Sequence, residues 1–232
     1  MYQDERRADD FEREQVFQRR LAELGFQRQQ LPWNMGETPQ FEIPREESKL
    51  FAEKEIEGPN LSDEEVERRA LLDLLSQTYN FRTFFKRLHY ELRRARRYKR
   101  ALAVVLVAID HLDQIGRLHG LDAADVMVKS AAYTLLGSIR DVDIAGRCRE
   151  DTFGVILPET ADAGAEVAAE RIRTKMERHS INHNWQTITM TASVGVSCFP
   201  GPAASVDEMF ARAAEALLLT MERGGNGVLF AR

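Results

Sequence analysis

The chain has 232 residues, enough for one domain of ordinary size with an extension, or for two small domains. Hydrophobic residues make up 44% and charged residues 30%, a composition typical of soluble globular proteins that bury a substantial core. The formal net charge of −5 argues against a general polyanion-binding protein, and Cys148 and Cys198 form no C-x-x-C motif for metal or redox chemistry.

The first residues predict a protein that stays in the cytoplasm. Residues 1–20 are rich in charge and lack the apolar segment of a signal peptide. No stretch of the sequence is long and apolar enough to span a bilayer. Phe17, Leu21 and Leu24 have helical spacing, but so polar a helix needs its own domain or a partner to cover this thin stripe.

Residues 32–60 predict an extended segment that continues this N-terminal arm. Four prolines, at positions 32, 39, 44 and 59, exclude one long helix or a central strand, although a short helix fits between Pro44 and Gly58. The segment also carries more large apolar side chains than a free linker does, namely Trp33, Phe41, Ile43, Leu50 and Phe51. We therefore expect residues 1–60 to form an arm that docks either on its own domain or on a partner protein.

Residues 61–232 predict one α/β domain with a central sheet covered by helices. Ser62 and Glu65 form a capping box that opens a helix. Residues 101–109 are continuously apolar, as in a strand buried on both faces. The remaining predicted elements, in chain order, are a basic helix over 82–100, a helix over 122–139, strands over 143–147 and 152–157 joined by a turn, a helix over 161–178, a strand over 187–198, a helix over 206–222 and a last strand over 228–230.

Four short motifs in this region resemble those of GGDEF domains, the catalytic domains of diguanylate cyclases, in the same order and at the same separations. They are DLLSQTYNFR from Asp73, IDHL from Ile109, FGVILPET from Phe153 and TASVGV from Thr191. The resemblance covers residues 73–230. It implies the GGDEF or nucleotidyl-cyclase-like fold, a central mixed β-sheet covered by helices, preceded here by the helical and extended arm.

At the positions of the family's synthetic site, however, most residues differ. The G-G-D/E-E-F signature loop aligns with Arg149–Phe153, which has no glycine and keeps only Asp151 of the two acidic residues. Joining two GTP molecules needs carboxylates for metal and cations for phosphate. The other aligned positions carry Ala108 for a metal-binding Asp, Gly116 for a guanine-reading Asn, Met221 for a Lys and Gly225 for an Arg, while Asp125 retains a guanine-binding Asp. The resemblance therefore implies no catalytic residues, no metal site and no cofactor, and leaves Asp110, Asp125 and Asp151 as supports of the fold.

The family's regulatory site, in contrast, is present in the sequence. In many cyclases an R-x-x-D motif ahead of the signature loop binds the product, cyclic di-GMP, and here Arg140 and Asp143 provide it. Arg171, on the next predicted helix, matches the family's further arginine. Guanidinium groups fork onto guanine or phosphate, and a carboxylate accepts from the N–H groups of guanine. The alternative is that Arg140 and Asp143 only pair with each other on the surface.

Two other features predict no site. The basic residues between Arg93 and Arg100 spread over more than half of the helix circumference, and Tyr98 is the only aromatic among them, so we expect a solvated helix and no nucleic-acid partner. The five histidines show no metal-ligand spacing.

The sequence thus favours a cytoplasmic, catalytically inactive receptor in which Arg140, Asp143 and Arg171 bind cyclic di-GMP. We expect it to signal through protein contacts of the domain or the arm. The sequence does not decide whether the ligand also links two chains into a dimer. One alternative is a scaffold that binds proteins without any ligand. Another is a residual enzyme that uses Asp125 and Asp151.

Overall fold

The computed structural model describes residues 70–201, 203 and 205–231, where helices and strands alternate. The elements are β1 (Tyr79–Asn80), α1 (Phe81–Tyr98), β2 (Leu102–Ile109), α2 (Leu112–His119), α3 (Leu121–Leu136), β3 (Ile144–Arg147), β4 (Thr152–Pro158), α4 (Asp162–Glu177), β5 (Ser180–His183), β6 (Gln186–Thr189), β7 (Ala192–Phe199), α5 (Val206–Glu222) and β8 (Val228–Phe230). The predicted arm, residues 1–60, lies outside the described residues. The helix predicted from Ser62 through Leu74 is described only from residue 70, and it ends at Leu71.

Six strands form one mixed sheet in the order β1-β3-β4-β2-β7-β8. The β1–β3 and β7–β8 pairs are parallel, and the three inner pairs are antiparallel. β5 and β6 form a separate antiparallel hairpin. This confirms the expected fold class, a central mixed β-sheet covered by helices.

β2 divides the core into two layers because all eight of its residues are buried and successive side chains point to opposite faces. Ala103, Val105 and Val107 face the core that α3 and α4 cover. Leu102 and Leu106 face the core that α1 and α5 cover. The continuous apolar run predicted from the sequence is therefore the centre of a three-layer arrangement.

Helix α1 begins at a side-chain cap and buries one apolar face. The Asn80 side chain accepts a hydrogen bond from the Thr83 amide at 3.0 Å, and its own amide donates to the Ala70 carbonyl at 2.9 Å. Phe84 and Leu88, on the side of the helix that faces the sheet, are fully buried. None of the helices in the described ranges has the length and apolar character needed to cross a membrane.

The sequence-based elements omit the short strands β1 and β5 and differ from the structure at two further places. Residues 112–119 form the separate helix α2, which ends where Gly120 adopts a φ of +94°. The single strand predicted over 187–198 is in fact β6 and β7, which belong to different sheets. Between them, the Thr191 carbonyl accepts a hydrogen bond from the Asp110 amide at 3.0 Å. A content of β-branched residues predicts strands but does not reveal such a tertiary contact.

The close packing of α5 on β7 gives a stability test at Gly195. A Cβ there would lie 2.1 Å from the Ala213 carbonyl oxygen and 2.3 Å from the Leu217 amide nitrogen, both backbone atoms. We expect Gly195→Ala to lower the free energy of unfolding by about 3 kcal/mol in urea denaturation.

Gly116→Ala is the matched control, because a Cβ at that helical position would meet Ala124 and Leu121 side-chain atoms at 3.7 and 3.8 Å, ordinary contact distances. It should be neutral or stabilise by up to about 1 kcal/mol. Equal effects of the two variants would contradict the described packing.

Candidate ligand-binding site

The Arg140–Asp143 segment forms a closed turn between the end of α3 and the start of β3. The Arg140 amide donates to Asp143 Oδ2 at 2.8 Å, and the Asp143 amide donates to the Arg140 carbonyl at 3.0 Å. The R-x-x-D spacing therefore fixes the aspartate side chain against the backbone of the turn. This contact uses the backbone of Arg140, not its guanidinium group.

Arg171 reaches the same turn from α4, which packs beside α3. Its Nε donates to the Ser138 carbonyl at 2.8 Å. One helical turn further, Lys175 Nζ donates to the Gly137 carbonyl at 2.6 Å. The carbonyls that follow a helix lack partners within it and readily accept from cations, which explains why both side chains gather at the end of α3.

The carboxylate of Asp143 is half-buried and only partly satisfied. Its Oδ1 is buried and has no hydrogen-bond partner among the described residues. Burial raises the pKa of the Asp143 carboxyl, outweighing the hydrogen bond from the Arg140 amide and the charges of Arg140 and Arg171, which lower it. Because Arg171 donates to the Ser138 carbonyl, two residues before Arg140, the structure places the three predicted residues at one turn.

Both arginines have donors left over. In the described part of the chain, no hydrogen-bond partner is seen for the Arg140 guanidinium, which is exposed, or for the two terminal nitrogens of Arg171, also exposed. An acceptor without a described partner, on a turn that contains Arg140 and that Arg171 contacts, is suited to a planar, anionic ligand with its own N–H donors.

Arg147 holds the turn that aligns with the signature loop. Its guanidinium donates to the Arg149 and Glu150 carbonyls at 3.2 and 2.7 Å and contacts Asp73 Oδ1 at 3.1 Å. Burial alone would raise the pKa of Asp73, but hydrogen bonds from Ser76 and the charge of Arg147 outweigh it and lower that pKa. Arg147 therefore connects the end of β3 to the start of the described chain.

Asp110 lies at the end of β2 and is used inside the protein. Its Oδ1 accepts from Ser193 Oγ at 2.6 Å, and its Oδ2 accepts from Thr191 Oγ1 at 2.7 Å and from the Asn226 amide at 3.0 Å. These bonds join β2 to β7 and to the turn before β8. A Cβ on Gly225, whose φ is +75°, would lie 3.1 Å from Oδ2.

Among the other positions aligned with the synthetic site, Ala108 and Asp151 lie close together, because the Ile109 amide next to Ala108 donates to the Asp151 carbonyl at 2.9 Å. Ala108 is buried between Thr152 and Ser193 of the neighbouring strands. Asp125 is exposed on α3, and the carboxylate of Asp151 accepts from Thr152 Oγ1 at 2.8 Å. Within residues 70–201, 203 and 205–231 there is no group of three or more His, Cys, Asp or Glu side chains placed to hold a metal ion.

Two groups at the candidate site were not found from the sequence. The Ser138 carbonyl that orients Arg171 belongs to the backbone and leaves no sequence signal. Lys175 does leave one, since it lies four residues after Arg171 and therefore on the same helix face.

Comparisons with known proteins agree with this architecture. The family model described as "Diguanylate cyclase, GGDEF domain" matches residues 70–227. Diguanylate cyclase A of Treponema denticola is 30% identical over 134 residues, which is 58% of this chain and 36% of that relative. The chain thus matches about a third of that protein's length.

Two solved structures share the fold at low sequence identity. The GGDEF domain of DgcB from Caulobacter crescentus in complex with c-di-GMP has a TM-score of 0.67 and 21% identity, covering 70% of this chain and 96% of that one. The diguanylate cyclase SiaD of Pseudomonas aeruginosa, solved with its activator SiaC, has a TM-score of 0.68 and 20% identity, covering 99% and 78%.

The raised pKa of Asp143 predicts that its ionised carboxylate lowers the stability of the fold and that Asp143→Asn removes this pH-dependent loss. A carboxyl with a raised pKa in the folded state stabilises the fold fully below its unfolded pKa and loses that contribution as pH rises through the folded value. We therefore expect the free energy of unfolding of Asp143→Asn to rise relative to that of the wild type as the pH increases from about 3.5 to about 7. This range begins near the ordinary carboxyl pKa of 3.8.

Urea denaturation at several pH values measures this difference. Asp141→Asn removes an exposed carboxylate from the same turn and is the control for loss of charge. The interpretation of Asp143 as an unsatisfied buried acceptor is wrong if its variant loses stability relative to the wild type as pH rises.

Proposed function

The chain belongs to the GGDEF domain family, and from this premise we propose that it is a cytoplasmic, catalytically inactive receptor for cyclic di-GMP that signals through protein contacts. The ligand binds at Arg140, Asp143 and Arg171. The observation that carries the proposal is Asp143 Oδ1, a buried acceptor without a described partner that lies within the field of two arginines.

The ligand's chemistry complements this site. Guanine offers adjacent N–H donors, which would satisfy Oδ1 and favour the ionised carboxylate that burial disfavours. The unused guanidinium nitrogens of Arg140 and Arg171 can fork onto the O6/N7 edge of guanine or onto phosphate oxygens. The DgcB domain, which has the same fold, was solved in complex with c-di-GMP.

The local structure at the aligned synthetic positions supports the absence of catalysis. Two triphosphates need bound metal and cationic groups. Asp110 already accepts three protein hydrogen bonds, and Ala108 supplies no ligand atom. An Arg in place of Gly225 would need a left-handed backbone and would place its Cβ against Asp110. We propose accordingly that the chain uses no metal or cofactor.

A physical connection runs from the ligand site toward the arm. Asp143 immediately precedes β3, whose Gly146 approaches so closely to Phe84 of α1 that a Cβ would lie 2.6 Å from the Phe84 Cβ. At the other end of β3, Arg147 contacts Asp73, three residues after the described chain begins. Ligand binding at one end of β3 can therefore bias how the arm meets a protein partner. SiaD, which has the same fold, was solved in complex with its activator SiaC.

Calorimetric titration of cyclic di-GMP into the full chain tests the binding proposal. We expect a Kd of about 1 μM or tighter, roughly −8 kcal/mol, because two charge-assisted forks and one carboxylate engage the ligand. Arg140→Ala should abolish binding. Arg171→Lys keeps the charge but removes the fork and should weaken binding by at least roughly tenfold.

Arg178→Ala, which removes an exposed arginine just after α4, is the control and should bind as the wild type does. Absence of heat, together with no thermal stabilisation by the ligand, would reject the receptor and favour a ligand-independent scaffold. Unchanged capture of protein partners by Arg140→Ala would favour the scaffold in the same way.

Incubation with GTP and magnesium or manganese tests the proposed lack of catalysis. We expect no cyclic di-GMP above the level without protein, whereas an active diguanylate cyclase in the same assay yields product. Product that scales with protein concentration and disappears in Asp151→Ala would show instead a residual enzyme that uses its remaining carboxylates.

A further inference from the structure

Charge is distributed in opposite blocks along this chain. Residues 81–100 contain nine basic residues and one acidic residue, a net charge of +8. Residues 37–67 contain eleven acidic and three basic residues, a net charge of −8. A receptor for a single small ligand needs neither block.

The structure arranges the basic block into a stripe, which we call the basic face of α1. Arg82, Lys86, Arg93 and Arg97 are exposed, with the exposed Tyr90 among them. At 100° per residue these five positions fall within an arc of about 80°. The run from Arg93 onward is dispersed when taken alone, but Lys86 and Arg82, about two and three turns earlier, align with Arg93 and Arg97 in one stripe.

Within the described part of the chain, the cations of this face have few acidic partners. Of the described residues, none forms an ion pair with Arg82, Lys86 or Arg93, whereas Arg94 on the flank contacts Glu91 at 3.2 Å and Glu159 at 3.3 Å. Like charges four residues apart on a helix repel each other. An anionic segment laid along the face would relieve this repulsion.

The chain before residue 70 joins the domain at the beginning of that face. The Asn80 side chain, which caps α1, donates to the Ala70 carbonyl at 2.9 Å, and Arg82 follows two residues later. The acidic segment ends at Glu67, three residues before Ala70. A tethered segment has an effective concentration in the millimolar range, which a separate anionic partner would have to exceed.

We propose that the acidic segment, residues 37–67, docks along the basic face of α1 of the same chain. Its carboxylates pair with Arg82, Lys86, Arg93 and Arg97, and its apolar side chains cover Tyr90. A protein partner of the arm must then displace an intrachain contact. The proposal does not depend on cyclic di-GMP, so the titration above and the following experiment fail independently.

Carbodiimide coupling of carboxylates to lysine in the dilute full chain tests this docking. At an ionic strength of about 0.01 M, we expect mass spectrometry to find Lys86 joined to residues 37–67, normalised to coupling at Lys129, which is exposed on α3. At about 1 M salt, where the Debye length is about 3 Å, this yield should fall by roughly tenfold.

A triple variant with Arg82→Gln, Arg93→Gln and Arg97→Gln should lower coupling at Lys86 to a similar extent. The matched variant with Arg117→Gln, Arg178→Gln and Arg223→Gln removes three exposed charges elsewhere and should leave it unchanged. Salt-insensitive coupling, or equal effects of the two variants, would overturn the proposal. Coupling only between isotopically labelled and unlabelled chains would overturn it in favour of a second copy.

Discussion

The burial of β2 on both faces is the constraint on which the rest of the domain depends. An eight-residue strand without a polar side chain must lie between two neighbouring strands and beneath helices on each side. β4 and β7 supply the strands, and two pairs of helices supply the layers. Asp110 follows directly, so its carboxylate has to be satisfied by protein donors from β7 and the turn before β8.

β3 separates the two turns that the sequence resemblance relates to ligand binding. The Arg140–Asp143 turn precedes this four-residue strand, which is about 13 Å long, and the turn at Arg149 follows it. Substitutions in the second turn therefore need not disturb the first. A chain in which one end of β3 has lost its glycines can keep an arginine–aspartate turn at the other end, and this geometry is why inactivity and ligand binding are compatible in one proposal.

Much of this fold could be predicted from the sequence because its strongest signals are local. The apolar run of β2 and the order of the four motifs were sufficient for the sheet and its helices. The break between β6 and β7 could not be predicted, because it depends on Thr191 meeting Asp110 across 81 residues. The composition of the Arg140–Asp143 motif was readable, but the unsatisfied Oδ1 was not, since it results from burial by segments distant in sequence.

Both proposed sites share one physical property, which is charge that the described fold leaves without a partner. Asp143 keeps a buried acceptor open, and the basic face of α1 keeps like charges adjacent. Each arrangement costs stability, whereas Asp110 and Arg147 show that the same domain satisfies its charges where only the fold is at stake. The two proposals account for both arrangements in the same way: another molecule, or another part of this chain, would supply the missing partner.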